Sequence, residues 1–335
     1  MYDRNVELTD AYNRRIRDLR ISLTDRCNFR CFYCLPHGEP TLARKDKLLT
    51  FEEIAFIAEI FVSLGIDKIR LTGGEPLLRR DVPKLAAKLA ELKPRLTDLA
   101  LTTNGFEFDR YAAELRSSGL TRVTISLDSL RRDRFQEITG VDALERVLGA
   151  IRTAKSFNFD PVKINAVIVR GRNDDEIADF AGFAREHELS MRFIEFMPLD
   201  SGHGWSRESV VSAEEIRKEV NRAYPLVLKD RSRGSGTSWK YGFADGASGE
   251  IGIIAPVTEM FCGQCSRIRL TADGQIRTCL FSEKEHNLRD VLRSGAGRDE
   301  VIQFIRDAVM KKEPRHYIND AEFVQPKRTM SFIGG

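Results

Sequence analysis

The 335-residue chain carries six cysteines in two groups of three: Cys27, Cys31 and Cys34 near the start, and Cys262, Cys265 and Cys279 near the end. Three thiols cannot pair off among themselves, and tight CxxC spacings in a long chain more often serve metal than disulfides. Three thiolates on one short loop can hold three irons of a [4Fe–4S] cube and leave the fourth iron open to an exogenous ligand. Structural zinc instead takes four ligands on fixed spacings. The first group has only His37 as a nearby extra donor, and the second, CxxC followed after thirteen residues by Cys, has no obvious fourth. Zinc stays an alternative at both places; an open cube fits the ligand count better.

Arg267 and Arg269 stand between the thiols of the second group. On a strand, residues two apart face the same way, so both guanidiniums would project beside that site and could hold phosphates through charge-assisted hydrogen bonds. A solvated strand face is the alternative, and the flanking thiols favour the first reading. The chain contains no GxxxxGK[ST] segment, so a nucleotide bound here would be held by scattered Arg and Lys rather than by a P-loop.

These residues need a frame. Asp18 to Leu23 reads as a strand, and so do Lys68 to Leu71, Leu99 to Thr102, Val123 to Leu127, Val162 to Val169 and Met191 to Phe196. Helical patterns separate them, as in Asp109 to Ser118 and Asp174 to Glu188. Thr50 and Glu53 have capping-box spacing at the start of a helix that Gly65 closes, and Asp81 is expected to cap a helix with Pro83 in its first turn. Six strand–helix repeats imply a parallel sheet, open or curled toward a barrel. Polar turn formers follow the strands at Gly73-Gly74-Glu75-Pro76, Thr102-Thr103-Asn104-Gly105, Ser126-Leu127-Asp128-Ser129 and Met197-Pro198, and ligands gather at the carboxyl ends of such strands. The alternation stops after about Ser201, and Gly and Ser are dense from Ser232 to Gly252. Ala272-Asp273-Gly274 reads as a hairpin turn between Arg267–Leu270 and Gln275–Leu280, and helical segments follow near Asn287–Leu292 and Glu300–Met310. The expected division is a barrel over 1–200 and an extension over 201–335.

CxxxCxxC with an aromatic residue before its last Cys, followed by the Gly73-Gly74-Glu75-Pro76 loop, resembles the signature of the radical S-adenosylmethionine (SAM) superfamily. Arg20 to Asp25, Thr102 to Gly105, Ser126 to Ser129, Val162 to Val167, Phe196-Met197-Pro198, the second Cys group with its arginines, and the closing Gly334-Gly335 together resemble the GTP 3′,8-cyclase family of molybdenum-cofactor biosynthesis. The resemblance runs from about Arg15 to the last residue. It implies a partial (βα)6 TIM-type barrel with a C-terminal extension, two [4Fe–4S] clusters, one on each thiol triplet, and SAM as the second cofactor. It implies SAM contacts from Tyr33, Gly74, Ser126 and Met197, and GTP contacts from Arg20, Arg70, Thr102, Lys163, Arg267 and Arg269, the last two catalytic as well. Met197 as core filler and Ser126 and Thr102 as strand-end hydrogen-bonding residues are the plainer readings. Lys163 and Arg70 lie in apolar strands, where a cation needs a partner. The implied reaction takes a hydrogen from C3′ of GTP and joins C3′ to C8 of guanine, with the Gly-Gly tail entering the site. An electron donor and hand-off to cyclic pyranopterin monophosphate synthase are implied too, and a homodimer is compatible.

Lys and Arg number 53 against 50 Asp and Glu, a net charge of +3, which argues against nucleic acid as the partner. No apolar run nears the ~18 residues of a membrane span, and the first residues lack a secretory pattern, so a cytoplasmic, membrane-free protein is expected. Two rival readings stay open: a radical SAM enzyme that modifies a peptide and uses an auxiliary cluster, and a non-catalytic iron–sulfur redox protein.

Overall fold

The computed structural model describes residues 7–35, 42–200, 202, 204–230 and 232–334; His37 and Gly335 lie outside them. Strands and helices alternate as β1 (Asp18–Ser22), α1 (Phe51–Ser63), β2 (Lys68–Thr72), α2 (Val82–Ala90), β3 (Asp98–Thr103), α3 (Phe108–Ser117), β4 (Arg122–Ser126), α4 (Arg132–Thr139), α5 (Leu144–Ser156), β5 (Val162–Ile168), α6 (Ile177–Glu186), β6 (Ser190–Glu195) and α7 (Ala213–Ala223). There follow β7 (Leu226–Leu228), β8 (Trp239–Phe243), β9 (Glu250–Ile254), β10 (Arg267–Leu270), β11 (Gln275–Arg277), β12 (His286–Asn287), α8 (Leu288–Arg293), α9 (Arg298–Met310) and α10 (Met330–Ile333).

All 12 strands join one sheet in the order β12-β11-β10-β1-β2-β3-β4-β5-β6-β9-β8-β7. The six early strands are parallel, and the later chain lengthens their ladder on both sides: β10 pairs parallel with β1, and β9 pairs parallel with β6. Arg20, Thr72, Thr102, Ser126, Asn165, Ile194, Ile254 and Arg269, from all of these parallel strands, line one interior cavity. The sheet is therefore rolled into a partial barrel.

Strand periodicity explains why cations and hydroxyls reach the interior. Leu19, Ile21, Ile69, Leu71, Leu99, Leu101, Val123, Ile125 and Ile164 are buried in the core shared with the helices. Burying each such side chain is worth roughly 1.5–3 kcal/mol. The alternate positions turn inward and carry Arg20, Arg70, Thr102, Ser126, Lys163 and Arg192.

Local expectations mostly hold. Thr50 and Glu53 form the capping box, with Glu53 N donating to Thr50 Oγ1 at 3.1 Å and Thr50 N to Glu53 Oε2 at 2.7 Å, and Gly65 follows the helix at φ +97°. Asp81 is a correction. It stands at the start of α2 in the left-handed region (φ +63°) and makes no side-chain cap. That backbone turns its carboxylate away from the first-turn amides and onto Lys84 Nζ, 2.9 Å away. The hairpin is also shorter than expected, with β11 stopping at Arg277 instead of Leu280. The buried Arg277 guanidinium gathers the Glu285 carboxylate and the carbonyls of Leu280 and Ser282, folding the chain into a turn that presents Cys279.

Candidate active site

The first thiol triplet lies on the loop that leaves the carboxyl end of β1. Cys27, Cys31 and Cys34 are partly buried and line the interior cavity beside Gly73 and Gly74. The loop is tied to the end of α4 by Arg30 N donating to Thr139 O (2.8 Å) and Phe32 N to Ile138 O (3.1 Å). The Tyr33 hydroxyl donates to Asp128 Oδ2 at 2.6 Å, and Asp128 Oδ1 accepts from Val167 N at 2.9 Å. Burial pushes the Cys27 thiol up to about 11 and that of Cys34 up to about 12, so these thiols keep their protons until a metal replaces them.

The glycines of the 73–76 loop meet backbone as well as cavity. Gly74 N donates to Thr24 O and Glu75 N to Arg26 O, both at 2.7 Å, and a Cβ on Gly74 would stand 2.2 Å from Arg26 O. Only glycine fits there. Glu75, fully buried, accepts from Thr103 Oγ1 and Asn104 N, both at 2.7 Å, and from Leu77 N at 3.0 Å. Burial still lifts it to about 7 against those donors. Asn104 in turn donates to Asn28 Oδ1 at 2.8 Å and reaches Cys27 Sγ at 3.9 Å.

The second triplet approaches from the other end. Cys262 and Cys265 precede β10, which runs parallel with β1, and Cys279 follows the returning β11, so these thiols sit toward the amino ends of the strands. Arg14 braces them by donating to Cys262 O (3.0 Å), Pro314 O (2.8 Å) and Glu313 O (2.5 Å). Lys312 Nζ, buried, donates to Arg267 O at 3.0 Å and to Thr278 O. Burial alone would raise the Cys265 thiol, but Arg267 and Lys312 outweigh it and bring it down to about 7. His316 N donates to Cys262 Sγ at 3.5 Å, and its ring lines the cavity. Among the described residues no three His, Cys, Asp or Glu converge where one metal ion would sit.

Cations join the two ends. Arg269, Arg20 and Arg70 occupy one register row across β10, β1 and β2, a row of like charges that is unfavourable without an anion. Burial first, and then Arg269, Arg70 and Arg267, drive the Arg20 pKa well down. Burial brings Arg70 and Arg269 each to about 10. Lys163 falls to about 6 through burial and the nearness of Arg192, Arg122 and Arg70. Among the described residues, Arg70 donates only to the hydroxyls of Thr102 (3.2 Å) and Thr124 (3.0 Å). Among the described residues, Arg20, Arg70 and Lys163 have no carboxylate partner, whereas Arg122 pairs with Asp98 at 2.9 Å and Arg192 with Glu250 at 3.4 Å.

Tyr33, Gly74, Ser126 and Met197 thus line the compartment of the thiols, together with Arg267 and Arg269, while Arg70 and Lys163 line an adjoining basic compartment. Arg20, Thr102 and Arg267 border both. Sequence reasoning passed over Arg122 and Arg192. Arg192 is a lone cation inside an apolar strand, the same signal that marked Lys163, and could have been read the same way.

The chain matches the Radical SAM superfamily over residues 21–184 and Molybdenum Cofactor Synthesis C over residues 189–318. It is 42% identical to the GTP 3′,8-cyclase of Syntrophomonas wolfei over 98% of this chain and 100% of that one. It is 45% identical to the GTP 3′,8-cyclase of Streptomyces coelicolor over 98% and 96%. The chain belongs to the GTP 3′,8-cyclase family. Its fold is also that of Streptococcus suis SuiB bound to S-adenosylmethionine, at a TM-score of 0.60 and 15% identity, covering 95% of this chain and 77% of that one. Membership of the radical SAM superfamily implies a [4Fe–4S] cluster and SAM as cofactors.

This cyclase-family chain closes the cavity with its own tail. Met330 and Ser331 line it, and Gly334 (φ +81°) lies so close to β1 and β2 that a Cβ would stand 2.6 Å from Thr72 Oγ1 and 3.1 Å from Ser22 Cβ. No helix among the described residues is long and apolar enough to cross a membrane.

Proposed function

We propose that this chain converts GTP to (8S)-3′,8-cyclo-7,8-dihydroguanosine 5′-triphosphate in a SAM-dependent radical cyclisation, the first step of molybdenum-cofactor biosynthesis. One observation carries the reading: a single cavity runs from one thiol triplet to the other and adjoins a compartment in which Arg20, Arg70 and Lys163, among the described residues, have no carboxylate partner. Such cations call for a polyanion, and the family supplies one in GTP.

When bound, the reduced cluster and SAM supply a 5′-deoxyadenosyl radical, and the protein's task is to orient it and exclude water. Cys27, Cys31 and Cys34 would hold the first cluster, with Tyr33, Gly74, Ser126 and Met197 around SAM. Cys262, Cys265 and Cys279 would hold a second [4Fe–4S] cluster, whose open iron suits a base nitrogen or oxygen. Arg20, Arg70, Thr102, Lys163, Arg267 and Arg269 would hold GTP, and fixing the ribose against the radical is where most of the rate would come from. The reading also requires an external electron donor and a following enzyme, cyclic pyranopterin monophosphate synthase, to take the product. Residues 1–200 would form the radical SAM barrel and 201–335 the extension. The peptide-modifying alternative draws only on likeness of fold, at 15% identity.

Anaerobic reconstitution tests this directly. Wild-type protein should hold about eight irons, about four per cube, and form 5′-deoxyadenosine with SAM, reductant and GTP but not with ATP. Cys27→Ser should abolish SAM cleavage. Zinc in place of iron, or SAM cleavage indifferent to the nucleotide, would sink the proposal.

A further inference from the structure

The Gly/Ser-rich segment carries no motif, yet it covers the basic compartment. Ser232, Arg233, Ser235, Gly236, Thr237 and Ser238 line that compartment beside Arg70, Lys163 and Arg192. Barrel cations stitch the segment down: Arg192 Nη1 donates to Ser238 Oγ at 2.6 Å and Arg267 Nη1 to Ser235 O at 3.2 Å.

Arg233 is the segment's own cation in this wall. Its guanidinium carbon lies 5.1 Å from the Trp239 ring centroid and 4.9 Å from that of Phe261. Phe261 also receives Arg267 at 5.1 Å, so the two guanidiniums share one aromatic support. Two rings fix the guanidinium plane and leave its N–H edge to be satisfied from the cavity. That edge is in deficit: among the described residues, Arg233 Nη1 is buried without a hydrogen-bond partner. No ion pair holds Arg233 among the described residues. An unmatched buried donor is costly unless an acceptor arrives; a pre-oriented guanidinium suits carboxylate or phosphate oxygens, and in a compartment read as the nucleotide's the acceptor is phosphate.

We propose that Arg233, seated between Trp239 and Phe261, grips the outer phosphates of the nucleotide, so that segment 232–238 makes the site selective for a 5′-triphosphate over a monophosphate. This rests on the nucleotide reading given above and adds a residue that neither the cysteine motifs nor the barrel strands supply.

The test uses anaerobically reconstituted full-length protein and compares Kd for GTP, GMP and inorganic tripolyphosphate in wild type, Arg233→Gln and Arg233→Lys. Losing one charge-assisted contact should weaken GTP and tripolyphosphate about tenfold in Arg233→Gln, with GMP and SAM within about twofold. Arg233→Lys should recover part of the loss. Trp239→Ala should show the same selectivity at smaller amplitude, because the guanidinium keeps its charge and loses its seat. If GTP and GMP weaken equally in Arg233→Gln, the residue only shapes the wall and the proposal fails. GTP binding unchanged in that variant also overturns it. Wild-type protein that binds neither GTP nor tripolyphosphate would instead overturn the nucleotide reading itself.

Discussion

Lys163 shows what an inward-facing cation does inside a barrel. Burial first, and then Arg192 from β6, Arg122 from β4 and Arg70 from β2, bring its pKa down to about 6, with Glu250 from β9 acting the other way. At pH 7.5 the amine is mostly neutral. A polyphosphate would restore its charge, so nucleotide binding should take up a proton between about pH 6 and the higher pKa of the complex. The sign follows: affinity is greatest at the low end of that window and falls as pH rises through it. Calorimetry of GTP binding in buffers of different ionisation enthalpy should give a proton uptake in wild type that is missing in Lys163→Arg, whose charge is permanent. Equal uptake in the two proteins would show that the proton goes elsewhere. Lys163 was legible in the sequence because a cation in an apolar strand asks for a partner. His316 and Lys312 were not, because only tertiary packing brings them beside Cys262 and Cys265.

At the scale of elements, β1 to β6 were readable because alternation with apolar residues on one face is a local signal, and the Thr50–Glu53 box because it spans one helical turn. The parallel seams β1–β10 and β6–β9 were not. Their partners lie far apart in sequence, and nothing local encodes the register Arg20↔Arg269. The short α10 was hidden as well, since its anchor is remote: Arg328 meets Asp273 of the β10–β11 turn in a bidentate pair at 3.0 and 2.9 Å, Glu285 at 2.9 Å, and the Phe332 ring at 5.2 Å. Burial tends to raise the Asp273 pKa, but Arg328 outweighs it and the net shift is downward. The clamp is therefore intact above the ordinary carboxylate range and is lost only as pH falls through that lowered value. Arg328→Ala should release α10 at neutral pH: amide exchange of residues 330–334 should quicken at least tenfold, and cyclised product should fall about tenfold with iron content unchanged. Unchanged exchange in the tail would mean that the clamp holds nothing.

For the whole molecule, the barrel and the extension share one hydrogen-bonded sheet. β1 takes four residue pairings from β10, Asp18 to Ile21, and β6 takes five from β9, Ser190 to Ile194. Cutting the chain after residue 200 would strip partners from both β1 and β6 and leave two parallel edges whose outward residues, Leu19, Ile21, Met191 and Phe193, are buried in the intact protein. It would also open a cationic interior that the extension now walls off with β9, β10 and segment 232–238. Bare, apolar-flanked edges template association with other chains. A 1–200 fragment should therefore be recovered as aggregate or as high-order oligomer by size exclusion, while the full chain unfolds cooperatively in urea. A monomeric 1–200 fragment with its own sharp urea transition would show that the first six strand–helix repeats stand alone. The extension would then be an attachment to a finished barrel, and the two thiol triplets would owe their shared cavity to docking rather than to one folding event.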